Sequence, residues 1–268
     1  MDQFRKISSL DSTQAASIPV GNRLLSALPI PEYQRLSPYL QPVTFPLGKV
    51  LYEPGDQLEY VYFPTTSVVS LIYTMKDGAT AEMGLTGDDG VVGIAVFLGG
   101  NTAPNRAVVQ IGGGAFRLSR PILLQEFARS GSLQRSLLLY TQALLTQISQ
   151  TAVCNRLHPL ENRLCRWLLM CLDRVRGHEL PMTQEFISCM LGGRRESVTV
   201  AAGHLQDSKL LHYSRGHITI LDRKGLEANV CECYRTVRSE LDRLLCITAE
   251  AGVSYQDRAV RGPVSRIV

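Results

Sequence analysis

The sequence predicts an α+β chain: a run of short antiparallel strands, then a long helix, then a winged helix-turn-helix. Three observations carry that prediction. Up to about residue 118, short β-branched or aromatic runs alternate with turn clusters at the spacing of an antiparallel barrel or sandwich. After Arg120-Pro121 the apolar period lengthens to three or four residues, which is helical. Beyond residue 182 a capping threonine, a Gly-Gly turn, a helix with one apolar face and two β-runs follow one another at the lengths of a winged helix-turn-helix.

Taken in order, residues 22–41 read as short helical pieces (Leu24, Leu25, Leu28, then Tyr33 to Leu40) broken by Pro29 and Pro31. Strands are predicted at Val50 to Tyr52, Tyr60 to Phe63, Ser67 to Tyr73 and Val108 to Ile111, with Gly112 to Gly114 closing the set. Leu133, Leu137, Tyr140, Leu144, Ile148 and Thr151 then form a stripe on one long helix. A helix joining two domains has little of its own domain to cover it, so the stripe is expected to seal against a second copy of the chain. A helix from Leu160 to Val175 opens at Pro159, where a missing N–H costs nothing. Gly177 to Pro181 reads as a loop. Thr183 caps a helix from Gln184 to Leu191, Gly192-Gly193 makes the turn, and a helix from Arg194 to about Gln206 buries Val198, Ala201, Ala202 and Leu205. Leu210 to Tyr213 and His217 to Leu221 form the wing about Ser214-Arg215-Gly216. One further amphipathic helix, carrying Leu226, Val230, Cys233, Val237, Leu241 and Leu244, is expected over about 222–247.

Composition narrows the function. The chain has 268 residues, 45% hydrophobic and 19% charged, so it can bury a core and is not a low-complexity tail. No stretch is apolar enough to span a bilayer and no signal segment opens the chain, which makes the cytoplasm the expected address, away from the membrane. Of 28 Lys or Arg, 17 lie beyond residue 150 against 13 of the 24 Asp or Glu, so the net charge of +4 belongs to the second half. All seven cysteines and all five histidines lie there too. The first half therefore cannot hold zinc, a thiolate-bound cluster or a histidine-ligated haem. An odd cysteine count argues against a disulfide framework. Cys231-x-Cys233, placed on the predicted helix, would point its thiols apart, and reads as buried or idle. No nucleophile triad, phosphate loop or paired carboxylates appear; neither catalytic residues, a metal nor a cofactor is predicted.

The string Leu191-Gly192-Gly193-Arg194-Arg195-Glu196-Ser197-Val198, followed by His204-Leu205-Gln206-Asp207-Ser208-Lys209-Leu210-Leu211, resembles the DNA-binding domain of the Crp/Fnr family of bacterial transcription regulators. Gly48-Lys49-Val50-Leu51-Tyr52-Glu53-Pro54-Gly55 is similar to the first strands of that family's cyclic-nucleotide-binding-like β-roll. The resemblance spans about residues 22–222. It implies an N-terminal arm (1–21), a sensory β-roll (22–130), a dimerisation helix (131–156), a winged helix-turn-helix (157–222) and an added C-terminal helix and tail (223–268). It also implies a homodimer on a palindromic double-stranded DNA operator, acting with RNA polymerase and answering an unidentified small-molecule effector. The alternative is a ligand-binding or protein-interaction module of the same fold without DNA binding.

The residues support the DNA reading independently. A recognition helix reads bases with its first turn, here Arg194, Arg195, Glu196, Ser197 and Thr199; arginine forks onto guanine O6 and N7, and glutamate accepts from cytosine N4. Thr183 and Gln184 are placed to hold a phosphate at a helix N-terminus, and His212 and Arg215 to add backbone contacts from the wing. In the roll, the family's nucleotide-binding members carry Gly-Glu before Arg-Ser or Arg-Thr. Here Gly93-Ile94 and Asn105-Arg106-Ala107 stand in those places, so an effector pocket at these five residues is expected to reject cyclic AMP.

Overall fold

A computed structural model describes residues 21–249 apart from residue 101, so the expected N-terminal arm and C-terminal tail lie outside the described residues. Two short helices open it, α1 (Arg23–Ser26) and α2 (Ile30–Leu36). Asn22 caps α1 by accepting from the Leu24 and Leu25 N–H groups, while its amide donates to the carbonyls of Pro64 and Gly90. Seven strands follow: β1 (Gln41–Phe45), β2 (Val50–Tyr52), β3 (Tyr60–Pro64), β4 (Val68–Thr74), β5 (Thr80–Thr86), β6 (Arg106–Ile111) and β7 (Gly113–Ser119). They form two antiparallel sheets, ordered β1-β7-β3 and β2-β6-β4-β5, around a core that includes Val61, Phe63, Val69, Val109 and Leu118.

The four predicted strands are present within two residues. The sequence reading missed β1, β5 and β7, and Gly112 to Gly114, read as the end of the sheet, instead lead into β7. A Cβ at Gly113 would stand 2.6 Å from the backbone carbon of Thr66. Glycine is thus needed for two chains to cross, not for a strand to stop.

After α3 (Arg120–Phe127), the 26-residue α4 (Ser132–Leu157) runs along the roll. The Glu32 carboxylate, at 3.0 Å from the N–H groups of both Ser132 and Leu133, caps its positive end. Here the expected dimer stripe is corrected. Leu133, Leu137, Tyr140, Leu144 and Thr151 are buried, Ile148 is half-buried, and most of the stripe seals α4 to its own roll. The Tyr140 hydroxyl meets Thr86 Oγ1 at 2.8 Å, and the Gln147 amide exchanges two hydrogen bonds with the Leu85 backbone. The roll supplies the cover that sequence reasoning assigned to a second chain. The opposite side of α4 carries Leu138, Leu145 and Val153, which are 46%, 58% and 45% exposed. Leu138, Leu145 and Ala152 are spaced by sevens, the period that keeps one side of a helix on a partner.

The second half comprises α5 (Leu160–Leu172), β8 (Glu179–Pro181), α6 (Gln184–Leu191), α7 (Arg195–Asp207), β9 (Leu211–Ser214), β10 (His217–Ile220), α8 (Arg223–Asn229) and α9 (Glu232–Ala249). Residues read as a loop at 177–181 supply β8, a third wing strand in the order β8-β10-β9. The single added helix is two: Asp222 caps α8 through the Gly225 N–H, and the chain breaks at Val230-Cys231 before α9. As expected from its apolar face, α9 lies on the protein, packed on α4 with Val237, Leu244 and Leu245 buried. Among the described residues no helix is long and apolar enough to cross a membrane.

A second core spans the two halves. Val68, Ile72 and Leu85 of the roll pack with Trp167, Leu168 and Cys171 of α5. Polar groups are buried in the same seam: Arg174 pairs with Asp89 at 2.6 Å, and the Trp167 indole donates to Glu82 Oε1 at 3.0 Å. Burial pushes the Glu82 carboxyl up to about 7, against the lowering effect of Ser70, Trp167, Arg166 and Arg174 around it.

Candidate nucleic-acid interface

The helix-turn-helix forms from local signals. Thr183 Oγ1 accepts from the Phe186 N–H at 3.1 Å, so α6 starts where the cap was expected. It ends at Gly192, whose φ of 59° is left-handed and which leaves the Ser188 carbonyl to accept from the next N–H groups. A side chain at Gly192 would carry the strain of that φ while facing the β4–β5 hairpin at Ala81. Arg163 of α5 donates to the Leu191 carbonyl, fixing the turn from behind. Val198, Ala201, Ala202 and Leu205 bury one side of α7, as read from the sequence.

The first turn of α7 therefore faces outward. Arg194 stands at the cap, just before the helix, and it, Arg195, Glu196, Ser197 and Thr199 are all exposed. Beside them, Gln184 is half-buried and its amide oxygen lies 2.8 Å from Thr199 Oγ1, a contact that leaves the NH2 end of the amide as its donor. Thr183 is exposed at the same edge. The wing turns through Arg215 (φ 48°) and Gly216 (φ 81°), a two-residue loop of the kind that matches the twist of paired strands. Arg215 and His212 are exposed on it.

Two ties in this unit escaped sequence reasoning. The Tyr213 hydroxyl accepts from the Gln184 N–H at 3.0 Å, and Gln206 Oε1 accepts from the Tyr213 N–H at 2.8 Å. Tyr213 thus joins the wing to the start of α6 and the end of α7. Its position in an alternating strand showed that it lay on one side, but not what stood opposite.

The five effector candidates differ in burial and in partners. Ala107 is fully buried in β6, whereas Arg106 sits next to it on the other side and gives Nη2 and Nε to Glu53 Oε1 at 2.7 and 3.0 Å. Its charge is already met by a carboxylate. Asn105 is buried with its amide on the Arg106 carbonyl, and Ile94, after the left-handed Gly93, packs on the roll core. Two cavities, of about 140 and 460 Å³, lie instead where the roll meets the helical half, and none of the five residues lines either. Both are bordered by Arg23, Asp88 and Arg174.

The reading of Cys231-x-Cys233 as two thiols on one helix is also corrected. Cys231 precedes α9 and Cys233 lies in its first turn, so both can face the end of α4, where Cys154 and His158 stand.

Comparisons with known proteins agree with this geometry. Residues 162–229, which include α6, α7 and the wing, match the Crp-like helix-turn-helix domain. The chain is 25% identical over 187 residues to the global nitrogen regulator of Nostoc sp., covering 66% of this chain and 83% of that relative. In fold it is similar to FixK2 from Bradyrhizobium japonicum, with a TM-score of 0.62 at 19% identity over 72% of this chain and 98% of that one. A putative transcriptional regulator of the Crp/Fnr family from Eubacterium rectale gives a TM-score of 0.61 at 18% identity, over 77% and 96% of the two chains.

Proposed function

We propose that the chain is a transcription regulator of the Crp/Fnr type, a reading that its Crp-like helix-turn-helix domain supports, and that it reads a palindromic DNA operator as a homodimer. Regulators of this family bind DNA and act as dimers. The observation that carries the reading is the exposed start of α7, Arg194 to Ser197 with Thr199, in a capped helix-turn-helix with the wing beside it. In this reading Arg195 and Glu196 take base edges of a G·C-containing step, with Arg194, Ser197 and Thr199 beside them. Thr183, Gln184, His212 and Arg215 hold phosphates and set the register. The free side of α4, at Leu138, Leu145 and Ala152, joins two copies and sets two recognition helices about one helical turn of DNA apart, roughly 34 Å.

The domain division follows the same logic: a sensory roll, α4 as connector and dimer element, and the winged unit. A signal received by the roll reaches the winged unit through their shared seam, where Glu82 meets Trp167 and Asp89 meets Arg174. Its effect is to shift the population of arrangements in which both helices fit the operator. The bound dimer then acts with RNA polymerase in the cytoplasm.

Selection of bound fragments from genomic DNA, followed by affinity measurements across salt concentrations, tests the proposal. The expected result is an enriched palindrome bound at least 1,000-fold more tightly than random duplex at the same salt, on the order expected of specific binders. Equal affinity for all fragments would leave the fold as an interaction module without an operator.

A further inference from the structure

Where α4 ends and α9 begins, four side chains with metal-binding chemistry converge. Cys154 lies in the last turn of α4 and His158 four residues on, so both leave the helix on one side. Cys231 stands just before α9 and Cys233 in its first turn. One donor atom from each of the four lies within 4.8 Å of every other. Cys154 Sγ is 3.6 Å from Cys231 Sγ, and Cys233 Sγ is 3.6 Å from His158 Nδ1. The three cysteines are buried and form a cluster of their own, apart from both hydrophobic cores.

We propose that Cys154, His158, Cys231 and Cys233 form a closed, four-ligand site for a single zinc ion. The spacing decides the nuclearity. Bonds of about 2.3 Å to sulfur and 2.0–2.1 Å to nitrogen at tetrahedral angles put two sulfurs about 3.8 Å apart and a sulfur and a nitrogen about 3.6 Å apart. The two 3.6 Å separations fit those edges. A multi-iron cluster hands its thiolates to different metal atoms and spreads them further than 4.8 Å. A disulfide between Cys154 and Cys231 would need sulfurs about 2 Å apart.

The surroundings complete the set. With Nδ1 turned to the thiols, His158 Nε2 lies 3.4 Å from Glu232 Oε2, the carboxylate–histidine arrangement that fixes the tautomer of a zinc ligand. Three thiolates and one divalent ion leave one net negative charge. The buried guanidinium of Arg166, held by Thr151 Oγ1 at 3.2 Å and close enough to act on Cys154, supplies the opposite one. Four protein ligands with no open position make the site structural rather than catalytic. The ligands come from residues that bracket 159–230, so the ion pins both ends of the winged unit to α4.

Titration of the reduced full-length protein with Co2+, then Zn2+, under anaerobic conditions tests the site. One Co2+ per chain, with thiolate charge-transfer bands and the intense visible bands of a tetrahedral ion, displaced by one equivalent of Zn2+, is expected. Cys154→Ser and Cys233→Ser should each abolish that spectrum, whereas Cys189→Ser, an exposed thiol on α6, should leave it intact. Glu232→Gln, on an exposed side chain, should keep the spectrum and weaken affinity about 10- to 100-fold. If the cysteine variants fail to fold, the wild-type spectrum and Glu232→Gln still decide. No stoichiometric uptake, an octahedral spectrum, or purified protein containing iron with inorganic sulfide would overturn the assignment.

Discussion

Replacing Glu82 by glutamine tests the seam between the roll and the winged unit. The Glu82 side chain is buried, Oε1 accepts from the Trp167 indole, and Oε2 has no hydrogen-bond partner among the described residues. Burial raises its carboxyl from 4.5 to about 7. In the unfolded chain it ionises near 4.5, so between that pH and about 7 the folded state binds more protons than the unfolded one. Stability contributed by this group therefore falls as pH rises through that window and is flat above it. At about 1.4 kcal/mol for each pH unit, the full penalty above pH 7 is about 3 kcal/mol. Glutamine keeps the acceptor for Trp167 and cannot ionise. Glu82→Gln should match the wild type near pH 4.5 and exceed it at pH 8 by up to about 3 kcal/mol, or about 6–12 °C in melting temperature for a chain of this size. Thermal melts of both proteins at half-unit steps from pH 4.5 to 8.5 give the difference curve. A variant less stable at pH 8, or a difference that does not change with pH, would show that the carboxylate is ionised and held by Arg166 and Arg174, and the argument would fail.

Three further outcomes follow from the interface and the fold. Arg195→Ala should cost about 1–3 kcal/mol per half-site and relax preference at one base pair, whereas Gln184→Ala should weaken all sequences alike; binding to a library of single-base operator variants at fixed salt separates the two. Leu145→Asp, on the exposed side of α4, should give a folded monomer in sedimentation, whereas Leu144→Ala, one residue away and buried, should cost about 2–5 kcal/mol in denaturant unfolding and leave assembly unchanged. Arg215→Asn should relieve a left-handed φ by up to about 1 kcal/mol in melting experiments, and should weaken binding to all DNA with a salt slope lower by about 1.

The sequence alone determined what depends on neighbours along the chain. Thr183 as a cap, Gly192 as a left-handed turn, the Arg215-Gly216 loop and the buried line Val198, Ala201, Ala202 and Leu205 are all written within a few residues, because capping and φ preferences act over one turn. The outward first turn of α7 follows from them, and with it the candidate reading surface. Tertiary structure decided what each face meets. A period of 3.6 revealed an apolar stripe on α4 but carried no information on whether a roll or a second chain would cover it. The roll does, through Tyr140, Leu144 and Gln147, and the face it leaves exposed is the other one, at Leu138 and Leu145. Strand β7 was hidden because its opening glycines answer to the backbone of Thr66 and Ser67, which is distant in sequence. The Cys154, His158, Cys231 and Cys233 cluster was hidden for the same reason: Cys154 and Cys231 are 77 residues apart, and only the folding of α9 back along α4 brings their sulfurs within 3.6 Å.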